Sequence, residues 1–260
     1  MTKRALVTGA GIRLGRAMAL YLAQRGYDVA VHYASSADDA ADVVAEIEAL
    51  GCKAIALQAD LLDEDAAHSL VGRAIDGLGG RLNCLVNNAS IFEYDTLQSA
   101  NRESWDRHIG SNLRAPFVLT QNFAAQAPKA EIDENGEPRA LALVVNMLDQ
   151  RVRKLTPEFM TYTIAKMGLW AFTQTSAQAL APDIRVNAIG PGPTLRGIRQ
   201  SEKHFSVQRA SVPLGRGAHP GDVTAALGYF LDADAVTGQL LCVDGGQNLA
   251  WKSPDVLGVE

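Results

Sequence analysis

The sequence predicts an α/β protein in which one doubly wound parallel sheet, of about seven strands, carries helices on both faces. Three observations predict it. Short apolar runs of strand length alternate with helical patterns along almost the whole chain. Those runs show little alternation of apolar and polar residues, as expected where both faces of a parallel sheet are covered. A glycine cluster follows the first run and opens the first helical pattern, which is the strand–turn–helix context of a nucleotide-binding βαβ unit.

The strand-length runs fall at 4–8, 28–33, 53–58, 82–86, 140–147, 184–190 and 239–243 and are rich in Val, Ile, Leu and Ala. Between them, helical periodicity marks Ala17 to Gln24, Ala40 to Leu50 and Ala66 to Leu78, with Gly51 placed as a helix C-cap. The polar stretch from Pro128 to Pro138 reads as an exposed loop and not a linker, because the strands resume after it. A second irregular region, about 191–218, is rich in Gly and Pro and carries Arg196, Arg199 and His204; its length suits a lid over a ligand crevice. A chain of 260 residues holds one large domain, here 1–260.

Composition narrows the partners. Hydrophobic residues make up 47% and charged residues 20%, as in ordinary globular proteins, and the net charge of −5 offers no basic footprint for nucleic acid or an anionic membrane. Cys52, Cys84 and Cys242 are far apart and form no C-x-x-C pair, so neither a disulfide framework nor a metal site is expected, and a reducing cytoplasm fits. Met1-Thr2-Lys3-Arg4 leads straight into Ala5-Leu6-Val7, so no signal peptide is expected, and no run has the length of a membrane span.

The glycine cluster is Thr8-Gly9-Ala10-Gly11-Ile12-Arg13-Leu14-Gly15. Gly9 allows the tight turn, Gly11 permits close backbone approach, and Gly15 lets the helix pack near the sheet; the helix N-terminus then offers its amides to a pyrophosphate. A purely structural turn is the alternative, and the strand–turn–helix context favours a Rossmann-type dinucleotide site. An acidic residue about 20 positions on would bind the ribose 2′-hydroxyl of NAD. Asp28 has that spacing but starts the strand Val29-Ala30-Val31-His32-Tyr33, whereas ligands gather at carboxyl ends. The carboxyl end continues Ala34-Ser35-Ser36, with hydroxyls and no carboxylate, and Arg13 stands where a forked cation would reach a 2′-phosphate. NADPH is the expected cofactor. Asp60 either accepts hydrogen bonds from adenine or caps the next helix. Asn87-Asn88-Ala89-Ser90 closes the fourth run at the same sheet edge, as a turn or as contacts to ribose and nicotinamide.

Tyr162 and Lys166 stand one helical turn apart, with Asp149 thirteen residues before the tyrosine. An ammonium beside a phenol favours the phenolate and lowers the tyrosine pKa towards working pH, which makes a proton donor for a carbonyl or imine. Alone, the pair is better read as a surface helix pair, and the amino-terminal motifs reverse that reading.

Taken in order, Thr8-Gly9-x-x-x-x-x-Gly15, Asn87-Asn88-Ala89, Tyr162-x-x-x-Lys166 and Pro191-Gly192 resemble the short-chain dehydrogenase/reductase family over nearly the whole chain. The resemblance implies a seven-stranded parallel sheet and a homo-oligomer, with a tetramer favoured. It makes Tyr162 the proton donor and Lys166 the residue that holds the nicotinamide ribose. Asn112 matches the asparagine of the proton relay, and Asp244-Gly245-Gly246 the motif after the last strand. Two departures, Arg13 for glycine and Asp149 for serine, are similar to the pteridine reductase branch. Further matches to that branch are His32-Tyr33, Asn88-Ala89-Ser90 followed by Phe92, and Asn146-Met147-x-Asp149. By that resemblance Ser90 and Phe92 form a pterin slot against the nicotinamide, with core packing the alternative for Phe92. The implied cofactor-binding set is Gly9, Arg13, Leu14, His32, Tyr33, Ser35, Ser36, Asp60, Leu61, Asn88, Ala89, Ser90, Tyr162, Lys166, Pro191 and Gly192. One branch feature is missing: the arginine beside Ser36 that helps bind the 2′-phosphate is Ser35 here, which places more of that task on Arg13.

Asp149 argues against an ordinary ketone reductase, because an ionised carboxylate repels a carbonyl oxygen as negative charge develops on it. A carboxylate suits a substrate with donors, such as the amino and ring N–H groups of a pterin. Alternatively, a proton-bearing Asp149 works with Tyr162 to protonate a ring nitrogen. The expected activity is therefore NADPH-dependent reduction of a pterin or dihydrofolate C=N bond. The alternatives are a general carbonyl reductase acting on 3-oxoacyl or sugar substrates, and a non-catalytic NADPH sensor, which would not need Tyr162, Lys166 and Asn112 together. Arg196 and Arg199 either meet a folate glutamate tail or face solvent.

Overall fold

The computed structural model describes residues 2–197 and 200–251. The first half runs β1 (Lys3–Val7), α1 (Arg13–Gln24), β2 (Tyr27–Tyr33), α2 (Ala37–Ala49), β3 (Ala54–Gln58), α3 (Glu64–Leu78) and β4 (Cys84–Asn87). Then come α4 (Arg102–Ile109), a π-helical segment (Gly110–Arg114), α5 (Ala115–Gln126), and the short strands β5 (Glu131–Ile132) and β6 (Pro138–Arg139). The second half continues with β7 (Ala142–Met147), a 3-10 turn (Gln150–Val152), α6 (Met160–Leu180), β8 (Ile184–Pro191), α7 (Glu202–Ala210), α8 (Pro220–Asp232) and β9 (Leu240–Val243).

Each of the seven expected runs becomes a strand of one parallel sheet, ordered β3-β2-β1-β4-β7-β8-β9. The order reverses between β1 and β4, and crossovers to either side of that point leave a crevice above the carboxyl ends of these two strands. The missing alternation in the runs has its reason in β1. Ala5 and Val7 point into a core with Met18, Leu22, Val43 and Phe230, whereas Leu6 points into a second core with Leu70, Leu85, Leu119 and Phe123. Both faces are therefore dry where Ala5, Leu6 and Val7 follow one another, and only Lys3 and Arg4, at the more exposed start of the strand, are charged.

Three expectations need correction. Helix α1 starts at Arg13, four residues before its apolar periodicity, with Arg13 itself in the left-handed region at the end of the glycine turn. The stretch from Pro128 to Pro138 is exposed but not irregular: β5 and β6 pair antiparallel across a turn in which Asp133 Oδ1 accepts from the amides of Asn135 and Glu137. Asp60 does not cap α3. That position belongs to Asp63, whose Oδ1 accepts from Asp65 N at 2.9 Å and Ala66 N at 3.1 Å. Asp60 itself is exposed and bonds the Leu62 amide.

Gly15 shows how tightly the first turn is built. A methyl group there would lie 2.0 Å from the Gly9 carbonyl oxygen and 2.6 Å from Asn88 Nδ2. Both neighbours are fixed by hydrogen bonds, so Gly15→Ala is expected to push α1 off β1 and destabilise the fold by about 1–3 kcal/mol. A thermal melt checks this, and a melting temperature equal to that of the parent would refute so tight a packing.

Candidate active site

The glycine loop is held from three directions. Gly9 has φ +60°, which favours glycine. Its amide donates to His32 Nδ1 at 3.0 Å, and Asn88 Nδ2 donates to the carbonyls of Thr8 and Gly9 at 2.8 and 3.1 Å. Thr8 Oγ1 accepts from the amides of Asn88 and Ala89 at 2.8 and 2.9 Å and ties the loop to the end of β4. A Cβ on Gly11 would lie 3.0 Å from Ser36 Oγ, so the loop also abuts the start of α2. Helix α1 begins at Ile12 without a side-chain cap, so its first amides stay available for an anion.

His32, assigned by sequence to cofactor contact, has a different task. It is buried, and both ring nitrogens are committed to backbone: Nδ1 accepts from Gly9 N, so Nε2 carries the proton and donates to Ala59 O at 3.1 Å. Burial pushes it down to about 4, and it stays neutral at working pH. Asn87 and Asn88 are likewise scaffold. Asn87 Nδ2 donates to Asn146 Oδ1 at 2.8 Å inside the sheet, and Asn88 bonds Thr8 and Gly9 as above. Asp28 lies at the opposite sheet edge, where it accepts from Lys53 N.

Arg13 occupies the left-handed region, at φ +56°. That conformation costs an arginine about 1–2 kcal/mol relative to glycine. Its guanidinium reaches across the crevice and donates to the carbonyls of Arg196 at 2.9 Å and Leu195 at 3.1 Å. The residue thus bridges the glycine loop and the 191–218 segment. Arg196 is exposed and donates to Gln200 O; Arg199 lies outside the described residues. Arg209, which the sequence reading passed over, holds the base of the segment by donating to the carbonyls of Pro193, Gly217 and Ala218.

The 21-residue α6 carries Tyr162 and Lys166 on its buried stripe with Leu169, Thr173 and Ser176. Lys166 is 3% exposed and donates to Met147 O at 2.8 Å, with its Nζ 5.7 Å from the centre of the Tyr162 ring. Burial lowers Lys166 to about 8. The partner of the Tyr162 hydroxyl is Asp149, whose Oδ2 accepts from it at 3.2 Å. The expected lowering of the tyrosine pKa is therefore corrected. Burial first, then the charge and hydrogen bond of Asp149, push it well above the ordinary phenol value. Tyr162 keeps its proton at working pH and holds it ready as an acid.

Asp149 makes two contacts at once. While Oδ2 faces the tyrosine, Oδ1 accepts from Arg151 N at 2.8 Å and caps the 3-10 turn. Asn112 sits in the π-helical segment between α4 and α5, an insertion common at functional sites. Its side chain accepts from Ile91 N at 3.0 Å and donates to Ile91 O at 2.8 Å, clamping the stretch that presents Ser90 and Phe92. Phe92 is 44% exposed, so core packing is excluded; it stacks on Phe159 at 4.3 Å and meets the Tyr162 ring edge-on at 4.7 Å. Phe159, a residue without any sequence signal, stands at φ +56° just before α6, with the Arg151 guanidinium 5.1 Å over its ring.

A family model described as Enoyl-(Acyl carrier protein) reductase matches residues 9–248. The chain belongs to the short-chain dehydrogenase/reductase family. Among relatives of this reductase, the 3-oxoacyl-[acyl-carrier-protein] reductase FabG of Staphylococcus aureus is 33% identical over 251 residues, covering 95% of this chain and 98% of FabG. Among solved structures, FolM Alternative dihydrofolate reductase 1 from Brucella canis, complexed with NADP, superimposes with a TM-score of 0.90 at 40% identity, covering 98% of this chain and 97% of that one. A short-chain dehydrogenase from Burkholderia cenocepacia in complex with NADP gives a TM-score of 0.86 at 33% identity, covering 95% and 98%. Among the described residues of this short-chain dehydrogenase/reductase, no group of His, Cys, Asp and Glu is placed to hold a metal ion, and no helix is long and apolar enough to cross a membrane.

Proposed function

We propose that this protein is an NADPH-dependent reductase that reduces a C=N bond of a pterin or dihydrofolate, working as a homotetramer in the cytoplasm. The observation that carries the reading is the Asp149 carboxylate 3.2 Å from the Tyr162 hydroxyl. A developing alkoxide would meet that carboxylate as a like charge, whereas the amino and ring N–H groups of a pterin would meet it as donors. The 40% identity to a FolM alternative dihydrofolate reductase supports the same substrate class.

The residues present fit NADPH. Gly9, Gly11 and Gly15 let the loop fold closely onto Asn88, Ala89 and Ser36 ahead of the uncapped start of α1, where amides suit a pyrophosphate. Ser35, Ser36 and Arg13 would hold the 2′-phosphate, and Asp60 and Leu61 would border the adenine. Leu14, Tyr33 and Asn88 shape the walls. Tyr162 and Lys166 would hold the nicotinamide ribose, with Ala89, Ser90, Pro191 and Gly192 around the ring. When bound, the cofactor supplies the hydride. Tyr162 gives its proton to the ring nitrogen, Asp149 orients the amino group and the tyrosine hydroxyl, and Ser90 with Phe92 fixes the plane of the substrate. The described residues 191–197 and 200–218 would serve as a lid over the crevice.

Strain at Arg13 persists because its guanidinium has work to do there. A charge-assisted contact contributes roughly 1.5–3 kcal/mol. Arg13→Ala is therefore expected to weaken NADPH by about 10- to 100-fold and to leave NADH nearly unchanged. Equal losses for both cofactors would make Arg13 only a bridge to the lid.

The 33% identity to FabG supports a second reading, reduction of a 3-oxoacyl carbonyl. A screen of NADPH oxidation with dihydrofolate, dihydrobiopterin, a 3-oxoacyl thioester and simple ketones tests the two. Turnover confined to the pterin substrates is expected. Rapid turnover of the thioester with inert pterins would replace the first reading by the second.

A further inference from the structure

The stretch from Ala89 to Asp95 is pinned at every second residue. Ala89 N donates to Thr8 Oγ1, Asn112 clamps both backbone groups of Ile91, Glu93 N donates to His108 Nε2 at 3.1 Å, and Asp95 O accepts from Phe159 N at 2.8 Å. The intervening Ser90, Phe92 and Tyr94 are exposed, so the stretch behaves as an extended ribbon with one anchored and one open face.

The ribbon ends on a buried carboxylate. Asp95 is 2% exposed; its Oδ1 accepts from Thr161 N at 3.2 Å and its Oδ2 from the Thr161 hydroxyl. Helix α6 needs such a partner, because the residue at its start, Phe159, has no side chain able to cap it. Thr161 Oγ1 also meets His108 Nδ1 at 2.6 Å. Since His108 Nε2 accepts from Glu93 N, the neutral ring carries its proton on Nδ1. Hydrogen bonds therefore run in one direction, from His108 to Thr161 to Asp95. All three side chains are buried. Thr161 immediately precedes Tyr162, and Glu93 immediately follows Phe92.

We propose that Asp95, Thr161 and His108 form a positioning unit that fixes the Tyr162 hydroxyl relative to the Ser90–Phe92 ribbon, so that the proton donor and the substrate wall keep one geometry. The inference rests on Tyr162 being the proton donor. None of the three residues touches the reacting atoms. They act through the first turn of α6 and through the ribbon.

The test uses the full-length enzyme with the fastest substrate of the NADPH-oxidation screen. Thr161→Val keeps the shape but removes the hydroxyl that links His108 Nδ1 to Asp95 Oδ2. A displaced donor is expected to lower kcat by about 10- to 100-fold, with KM for NADPH unchanged. Thr161→Ser, which restores the hydroxyl, should recover most of the loss. Where the valine variant does not fold, Asp95→Asn gives the same comparison, because its amide puts a donor where Thr161 needs an acceptor. In a Tyr162→Phe background the Thr161→Val step should cost little more, since no hydroxyl remains to be aimed. A lower melting temperature with kcat unchanged would overturn the proposal and leave only a helix cap. So would a further loss of the full factor in the Tyr162→Phe background. Undiminished turnover in Tyr162→Phe alone would overturn the reading of the site as well, and that single variant tells the two failures apart.

Discussion

Replacing Tyr162 by phenylalanine is expected to reduce turnover by about 10²–10⁴-fold, the range of general acid catalysis, while NADPH binding survives. The ring stays in place, because its packing against Phe92 and His108 does not involve the hydroxyl. Only the proton is lost. The tyrosine sits well above the ordinary phenol value, so the parent enzyme holds that proton at any physiological pH. Lys166→Ala should behave differently and damage both turnover and cofactor affinity, because Lys166 lies beside the tyrosine and is the residue proposed to hold the nicotinamide ribose. Steady-state kinetics with direct measurement of NADPH binding separates the two variants. A fully active Tyr162→Phe enzyme would require another proton donor.

The fold was legible because its signals are local and repeated. Each strand of the sheet is a short apolar run, and dryness on both faces is written into consecutive residues such as Ala5, Leu6 and Val7. The hairpin at β5 and β6 was not legible, since two-residue strands carry no periodicity. The start of α1 was missed for a similar reason: Arg13 to Arg16 lie before the apolar stripe, and the turn geometry sets the boundary.

At the site, spacing placed Tyr162 and Lys166 together, yet it could not tell which charged group the phenol would meet. Sequence reasoning gave the hydroxyl to the lysine; the folded chain brings Asp149 to it and sends Lys166 Nζ to Met147 O. His32 stands at the right strand end for a cofactor contact, but its ring turns inward to the Gly9 amide and Ala59. Asp95, His108 and Thr161 were invisible because their relation is purely tertiary: a loop, α4 and α6 meet only after folding. The contacts of Arg13 with Leu195 and Arg196 are of the same kind.

In the proposed reading Asp149 is where pterin and carbonyl chemistry part, and its two contacts make the comparison clean. Oδ1 caps the turn at Gln150–Val152, and Asn, Asp and Ser are all good caps. Asp149→Asn and Asp149→Ser should therefore change the melting temperature little. Asn keeps the shape but turns an amide donor towards the Tyr162 hydroxyl and loses the charge that attracts pterin donors. Turnover of dihydrofolate or dihydrobiopterin is expected to fall by about 100-fold or more. Ser removes the repulsion of a developing oxyanion and should raise activity on simple ketones. The decisive measurement is the ratio of dihydropterin to ketone turnover in the parent, Asn and Ser enzymes, taken beside their melting temperatures. A ratio that collapses in both variants at near-parental stability is the predicted result; a lower melting temperature with an unchanged ratio would contradict the account and reduce Asp149 to a turn cap.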